Sequence, residues 1–272
     1  MPLIPVSTFD DPRLSDYANL KDRELARLGG KFIAEGEHVV RRLLDSPVQC
    51  DSVMLSTRQV DSVAPAVPEE VPTYVAPDDV IHGVLGYKFH SGVMAVGIRP
   101  PPATLDAIVP RDKARLTVVA CPELANGENL GSMVRLCAGF GVDALVIGER
   151  SADPFIRQSV RVSMGTIFRL PLVRSADFLS DLRRLREEWG VELIATVLDD
   201  AAAPLATAGR GPRVALLFGN EAQGLSPDVV RACDRQVTIP MHYGTDSLNV
   251  AVAAGIFLHH FTTRDREFAI AE

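Results

Sequence analysis

Three short stretches carry side chains that could do chemistry together: Asn129, Gly131 and Arg135; Gly219 to Ser226; and Ile239 to Asn249. In the first, apolar residues at 130, 133, 134, 137, 138 and 141 follow the helical period. Arg135 then lies on the adjoining face one turn after Gly131, whose missing side chain leaves room for a guanidinium or a ligand. Asn129 reads as the cap of that helix, with Arg135 leaning back toward it. The second stretch, Phe218-Gly219-Asn220-Glu221-Ala222-Gln223-Gly224-Leu225-Ser226, directly follows an apolar strand. That places the Glu221 carboxylate where open α/β sheets bind ligands. Gly219 and Gly224 have the spacing of a phosphate loop, but Leu225-Ser226 stands where Lys-Ser/Thr is required, which disfavours nucleotide hydrolysis. In the third stretch a polar loop meets a very apolar helix. Asp246 or Ser247 can cap it, and Leu248 to Leu258 are apolar on nearly every side, so the helix must be buried in the fold or against a partner.

The elements that position these stretches alternate. Residues 13–44 read as helical, interrupted by a strand or turn at Phe32 to Gly36. Short β-like runs follow at 52–55, 73–75 and 93–98, with a helical piece near 79–85. Pro100-Pro101-Pro102 excludes both helix and central strand and marks a domain boundary, giving units 1–102 and 103–272. In the second unit strands are expected at 116–121, 144–147, 168–173, 191–197, 214–218 and 236–239, and helices at 129–140, 154–164 and 176–189. Continuous apolar strands such as Val214 to Phe218 imply a sheet covered on both faces, hence mostly parallel. Gly139-Phe140-Gly141-Val142-Asp143-Ala144 matches the dinucleotide fingerprint formally. It closes a helix and precedes a strand, the reverse of what that fingerprint needs, so a dehydrogenase is excluded.

Composition sets the bounds. At 272 residues, 47% hydrophobic and 23% charged, the chain can bury a full core. No apolar run reaches the length of a membrane span, and the N-terminus lacks the pattern of a signal peptide. Four well-separated cysteines with no C-x-x-C pair suit reduced thiols in a cytoplasmic protein, and no metal-ligand spacing appears. The net charge of −7 rules out a generally nucleic-acid-coating surface, yet eight arginines against three acids lie between Arg150 and Arg186. With only four lysines in the chain, nearly all positive charge is guanidinium, which suits bidentate phosphate contacts; Arg157 and Arg161 are the expected phosphate ligands.

Taken in order, the three stretches resemble the SPOUT superfamily of RNA methyltransferases, in its SpoU/TrmH-like ribose 2′-O-methyltransferase branch. The resemblance rests on N-x-G-x-x-x-R at Asn129 to Arg135, on Phe218-Gly219-Asn220-Glu221 with Gly224-Leu225, and on Ile239-Pro240-Met241 with Ser247-Leu248-Asn249-Val250-Ala251-Val252-Ala253. It extends to Phe32 to Glu37 and His90 to Val96, similar to the family's substrate-binding domain. It implies an α/β fold: a C-terminal, mostly parallel sheet whose segment from about 214 to 258 forms a trefoil knot, and a smaller N-terminal α/β domain for RNA. It implies S-adenosylmethionine as cofactor, held by backbone groups near Gly219, Ile239 and Leu248, and a homodimer formed through the C-terminal domain. It makes Arg135 the residue that pairs with a phosphate and stabilises a forming alkoxide, with Asn129, Glu221, Ser247 and Asn249 around it. Arg161 and Ser163, in Arg161-Val162-Ser163-Met164-Gly165, match a family stretch near the site and are expected to touch RNA. A non-catalytic RNA-binding protein on the same fold, or a base-directed methyltransferase, is the alternative; ribosomal and transfer RNA are not distinguished.

Overall fold

The computed structural model describes residues 3–18, 30–220, 222–243, 245 and 247–263. The chain divides into two units, residues 1–101 with 153–169, and residues 102–152 with 170–272.

The first unit holds a five-stranded sheet in the order β1-β4-β3-β5-β2, made of Leu3–Pro5, Thr73–Ala76, Cys50–Ser56, Val93–Ile98 and Lys31–Glu35. β1, β4 and β3 run parallel; β5 is antiparallel to both β3 and β2. The Glu37–Leu44 helix follows β2 after Gly36, whose φ of 94° turns the chain. Tyr17 is fully buried in the core of this unit, and its hydroxyl shares a hydrogen bond of 2.9 Å with Ser52 Oγ, so the buried polar atom is satisfied.

Residues 153–169, expected in the second unit, pack with the first. Phe32 on β2 holds the rings of Phe155 and Phe168 at 5.1 and 5.5 Å, and Arg99 pairs with Asp153 at 2.6 Å. Gly97, opposite Phe32 on β5, makes room for that ring: a Cβ there would lie 2.3 Å from it. Aromatic burial and one half-buried ion pair thus draw the segment to β2 across the linear boundary.

The second unit is built on a seven-stranded, all-parallel sheet in the order β10-β12-β9-β11-β6-β7-β8. These strands are Ala203–Pro204, Arg235–Thr238, Glu192–Thr196, Arg213–Leu217, Leu116–Cys121, Ala144–Ile147 and Leu172–Arg174. Every residue of β6 and β7 is buried, as a sheet covered on both faces requires. One layer contains the Phe178–Trp189 helix, which buries Phe178, Leu182, Leu185 and Trp189 against the sheet. The Gly127–Phe140 and Val250–Thr263 helices pack on each other, Gly255 leaving space for Leu136. The chain steps outward from β6 to β7 and β8, then crosses back to β9. β11 later enters beside β6, so the order reverses at the centre of the sheet, the place where parallel α/β sheets open a crevice.

Three local expectations are corrected. The strand expected over 168–173 is a 3-10 turn at Thr166–Phe168 followed by β8 from Leu172 at the sheet edge; Pro171 between them has no N–H to give, and its carbonyl accepts from Leu145 N at 2.9 Å. The first motif's helix is capped by Asn126, whose Oδ1 accepts from Glu128 N and Asn129 N, so Asn129 lies within the first turn. The final helix begins at Val250 and is capped by Asn249; neither Ser247 nor Leu248 is helical, and Asp246 lies outside the described residues.

Candidate cofactor and transfer site

A cleft of about 420 Å³ opens at the carboxyl ends of β9, β11 and β12. Its walls come from Thr196 to Leu198, from the 218–225 loop, from the 239–248 segment and from one face of the last helix at Val250, Ala253 and Phe257. Gly219, Ile239, Ser247 and Leu248, which lie up to 29 positions apart in sequence, meet here. Ile239, Met241, Leu225 and Leu248 make much of the wall apolar, and the size is that of a small-molecule site.

The 218–225 loop is tightly built. Asn220 and Gly224 exchange backbone hydrogen bonds of 3.0 and 2.8 Å, with Gly224 at a φ of 67°. Asn220 Oδ1 accepts from the N–H groups of Ala222 and Gln223, while its Nδ2 donates to Glu123 Oε1 at 3.3 Å. Arg150 holds the same Glu123 at 3.1 Å. Gly219 has no freedom for a side chain, since a Cβ would fall 2.1 Å from the Gly224 carbonyl carbon and 2.3 Å from Leu225 N. Glycine at 219 therefore serves close backbone approach across the loop rather than a turn. Glu221, expected in the site, lies outside the described residues.

Asn249 ties this cleft to the first motif. Its Oδ1 accepts from Ala251 N at 2.9 Å, and its Nδ2 donates to Asn129 Oδ1 at 3.0 Å. Moving the cap to Asn126 is what leaves the Asn129 amide available for this contact. Arg135 stands exposed on the same helix, outside the cleft lining, and no side chain or carbonyl among the described residues engages its guanidinium.

The three expected RNA contacts, all in the first unit, differ in availability. Arg161 is exposed. Arg157 is tied down: its Nε donates to Glu35 at 2.7 Å, its Nη2 donates to the Tyr87 hydroxyl, and its guanidinium lies 5.1 Å from the Tyr87 ring centre. Ser163 is fully buried and its hydroxyl donates to Val160 O at 2.8 Å, closing the end of the Arg157–Val162 helix. It braces the turn that carries Arg161 rather than presenting itself to a ligand.

Sequence reasoning passed over Asn220, Glu123 and Arg150. Asn220 stood within a quoted motif without a role, and only the fold brings Glu123, 97 positions away, to it. Burial pushes the Cys137 thiol well up, and those of Cys50 and Cys233 to about 12, so none of the three is poised as a nucleophile. Among the described residues no group of three or more His, Cys, Asp or Glu side chains could hold a metal, and no helix is long and apolar enough to cross a membrane.

Residues 116–259 match the SpoU rRNA Methylase family. An uncharacterised tRNA/rRNA methyltransferase of Mycobacterium tuberculosis is 37% identical over 261 residues, covering 93% of this chain and 89% of that relative. The 23S rRNA (guanosine(2553)-2'-O)-methyltransferase RlmP of Bacillus subtilis is 26% identical over 94% of this chain and 98% of its own. The AdoMet-bound rRNA methyltransferase from Sinorhizobium meliloti aligns with a TM-score of 0.82 at 25% identity, over 97% of this chain and 98% of that one.

Proposed function

Because the chain belongs to the SpoU rRNA methylase family, we propose that it transfers a methyl group from S-adenosylmethionine to a ribose 2′-hydroxyl of structured RNA, ribosomal or transfer. The observation that carries this reading is the meeting of Gly219, Ile239, Ser247 and Leu248 at one cleft, with Asn249 bonded to Asn129 beside it. The cleft fits the cofactor: it has the volume for an adenosine with a short chain, an apolar wall for the base, and at Gly219 a loop backbone with no side chain of its own.

When bound, the cofactor supplies a methyl group already activated on sulfonium. The protein's tasks are therefore to align the acceptor and to assist loss of its proton. The paired loops hold the donor side, and Asn249 and Asn129 fix the helix that carries Arg135. The Arg135 guanidinium is a donor with no acceptor site, so it acts by pairing with a phosphate and stabilising the forming alkoxide, and the hydroxyl proton leaves to another acceptor. Ser247 forms part of the pocket's polar edge. The first unit, with Arg161 on its surface and Arg157 and Ser163 bracing it, binds RNA; the raised thiols of Cys50, Cys137 and Cys233 argue against covalent attack on a base.

Three finer features belong to the same reading. The segment from about 214 to 258 is drawn through the preceding loop as a trefoil knot, supported by the entry of β11 at the sheet's centre and by the two loops sharing one cleft. The protein is a homodimer through its C-terminal domain, supported by the exposed apolar Val252 and Ile256, one turn apart on the last helix. It works in the cytoplasm, where its RNA is matured. Calorimetry tests the core of the reading. S-adenosylmethionine or S-adenosylhomocysteine should bind and NAD should not; NAD binding without either would end the assignment.

A further inference from the structure

Among the described residues only two that are not glycine adopt a left-handed backbone, Met164 and Tyr243. Met164 sits in the turn that ends a helix, and Arg42 holds its carbonyl at 2.6 Å. Tyr243 has no such account. It occupies the second position of a turn closed by Thr245 N donating to His242 O at 3.2 Å, with φ at 58°. That is a place for glycine, asparagine or aspartate, and a bulky aromatic there costs stability. Its side chain is fully exposed, at 105% relative accessibility, and makes no hydrogen bond or ring contact among the described residues. Packing therefore offers nothing in return for the strain. Strain retained without a structural return marks a place where function keeps the residue.

The position says what that function is. Tyr243 lies between Met241 and Ser247, both of which line the cleft. The other most exposed large apolar residue of the second unit among those described, Leu198 at 61%, lines the same cleft. Two bare apolar side chains on the loops of a methyl-donor site face whatever approaches it from solvent. We propose that Tyr243 is a stacking platform for an unstacked nucleobase of the RNA acceptor, at or next to the methylated nucleotide. Every base offers a π-face to such a ring, and RNA-binding proteins take splayed bases this way. The inference rests on the proposed function, since it names how that site receives its RNA.

The test uses the full-length protein and total RNA from a strain lacking the gene, whose acceptor site is unmethylated. Tyr243→Gly removes the ring and suits the backbone. It should raise Tm by about 2 °C, leave the S-adenosylmethionine Kd unchanged, and weaken RNA binding about tenfold or more. Tyr243→Phe should bind RNA like wild type, because the ring and not the hydroxyl is used. Tyr243→Trp should add its emission to that of Trp189, and RNA should quench the added part that wild type lacks. Wild-type RNA affinity in Tyr243→Gly, an unquenched Tyr243→Trp, or a change of oligomeric state in Tyr243→Gly would each overturn the proposal, the last by assigning the ring to a second copy. Wild-type protein that binds neither S-adenosylmethionine nor RNA would instead overturn the function on which it rests.

Discussion

The Asn249 side chain bridges two helices, capping its own through Oδ1 and donating from Nδ2 to Asn129 Oδ1 at 3.0 Å, 120 positions earlier in the chain. One residue thus fixes where the last helix starts and where the first-motif helix lies. Asn249→Ala should cost about 2 kcal/mol, about 1 from the cap and about 1 from the bridge. Asn249→Asp keeps the cap and replaces the bridging donor with an oxygen that faces Asn129 Oδ1, so it should still lose the bridge's share, about 1 kcal/mol, together with most transfer activity. A double-mutant cycle with Asn129→Ala in denaturant melts checks the bridge; strict additivity would show that the two amides do not interact.

Gly219→Ala addresses the cofactor loop. A methyl group 2.1 Å from the Gly224 carbonyl carbon forces the Asn220–Gly224 pairing apart. The S-adenosylmethionine Kd should rise at least about tenfold, roughly 1.4 kcal/mol, while Tm falls by only a few degrees. Unchanged affinity by calorimetry would remove this loop from the cofactor site.

Arg135 is exposed and takes no part in the apolar packing of its helix, so Arg135→Ala should fold and bind cofactor normally yet lose turnover by about 100-fold or more. Arg135→Lys should recover little, since one ammonium cannot reproduce a planar bidentate contact. Near-normal methylation by the Ala variant would take Arg135 out of the chemistry.

The two arginines of the 157–162 helix should separate cleanly. Arg161→Ala should weaken RNA binding and flatten the slope of log Kd against log salt by about 0.7 to 0.9, one released counterion, with Tm unchanged. Arg157→Ala strips Glu35 and Tyr87 of their partner and should cost about 2 kcal/mol of stability, affecting RNA mainly through that loss. Identical behaviour of both variants in salt titrations would contradict the distinction.

Much of this was legible before any coordinates. β6, at Leu116–Cys121, and the Gly127–Phe140 helix announce themselves through apolar runs and period, and the cleft residues Gly219, Ile239, Ser247 and Leu248 through the second and third motifs. What escaped were relations between distant positions. A linear boundary at the prolines cannot reveal that Phe32 draws Phe155 and Phe168 back to the first unit. A charge run cannot say that Arg157 is neutralised by Glu35 while Arg161 is not buried with it. The misplaced caps have a local cause: Asn126 and Asn129, like Ser247 and Asn249, are all competent cap residues, and only backbone geometry chooses between them.

The central claim is transfer to a ribose oxygen, and alkaline hydrolysis reads it directly. Purified protein is given methyl-labelled S-adenosylmethionine and total RNA from a strain lacking the gene, and the RNA is then cleaved with base. Cleavage requires a free 2′-hydroxyl, so a 2′-O-methylated nucleotide survives attached to its neighbour. The label should appear in alkali-resistant dinucleotides and be absent from that fraction with Arg135→Ala. Label recovered in mononucleotides would place the methyl on a base, and no incorporated label would deny the transfer altogether.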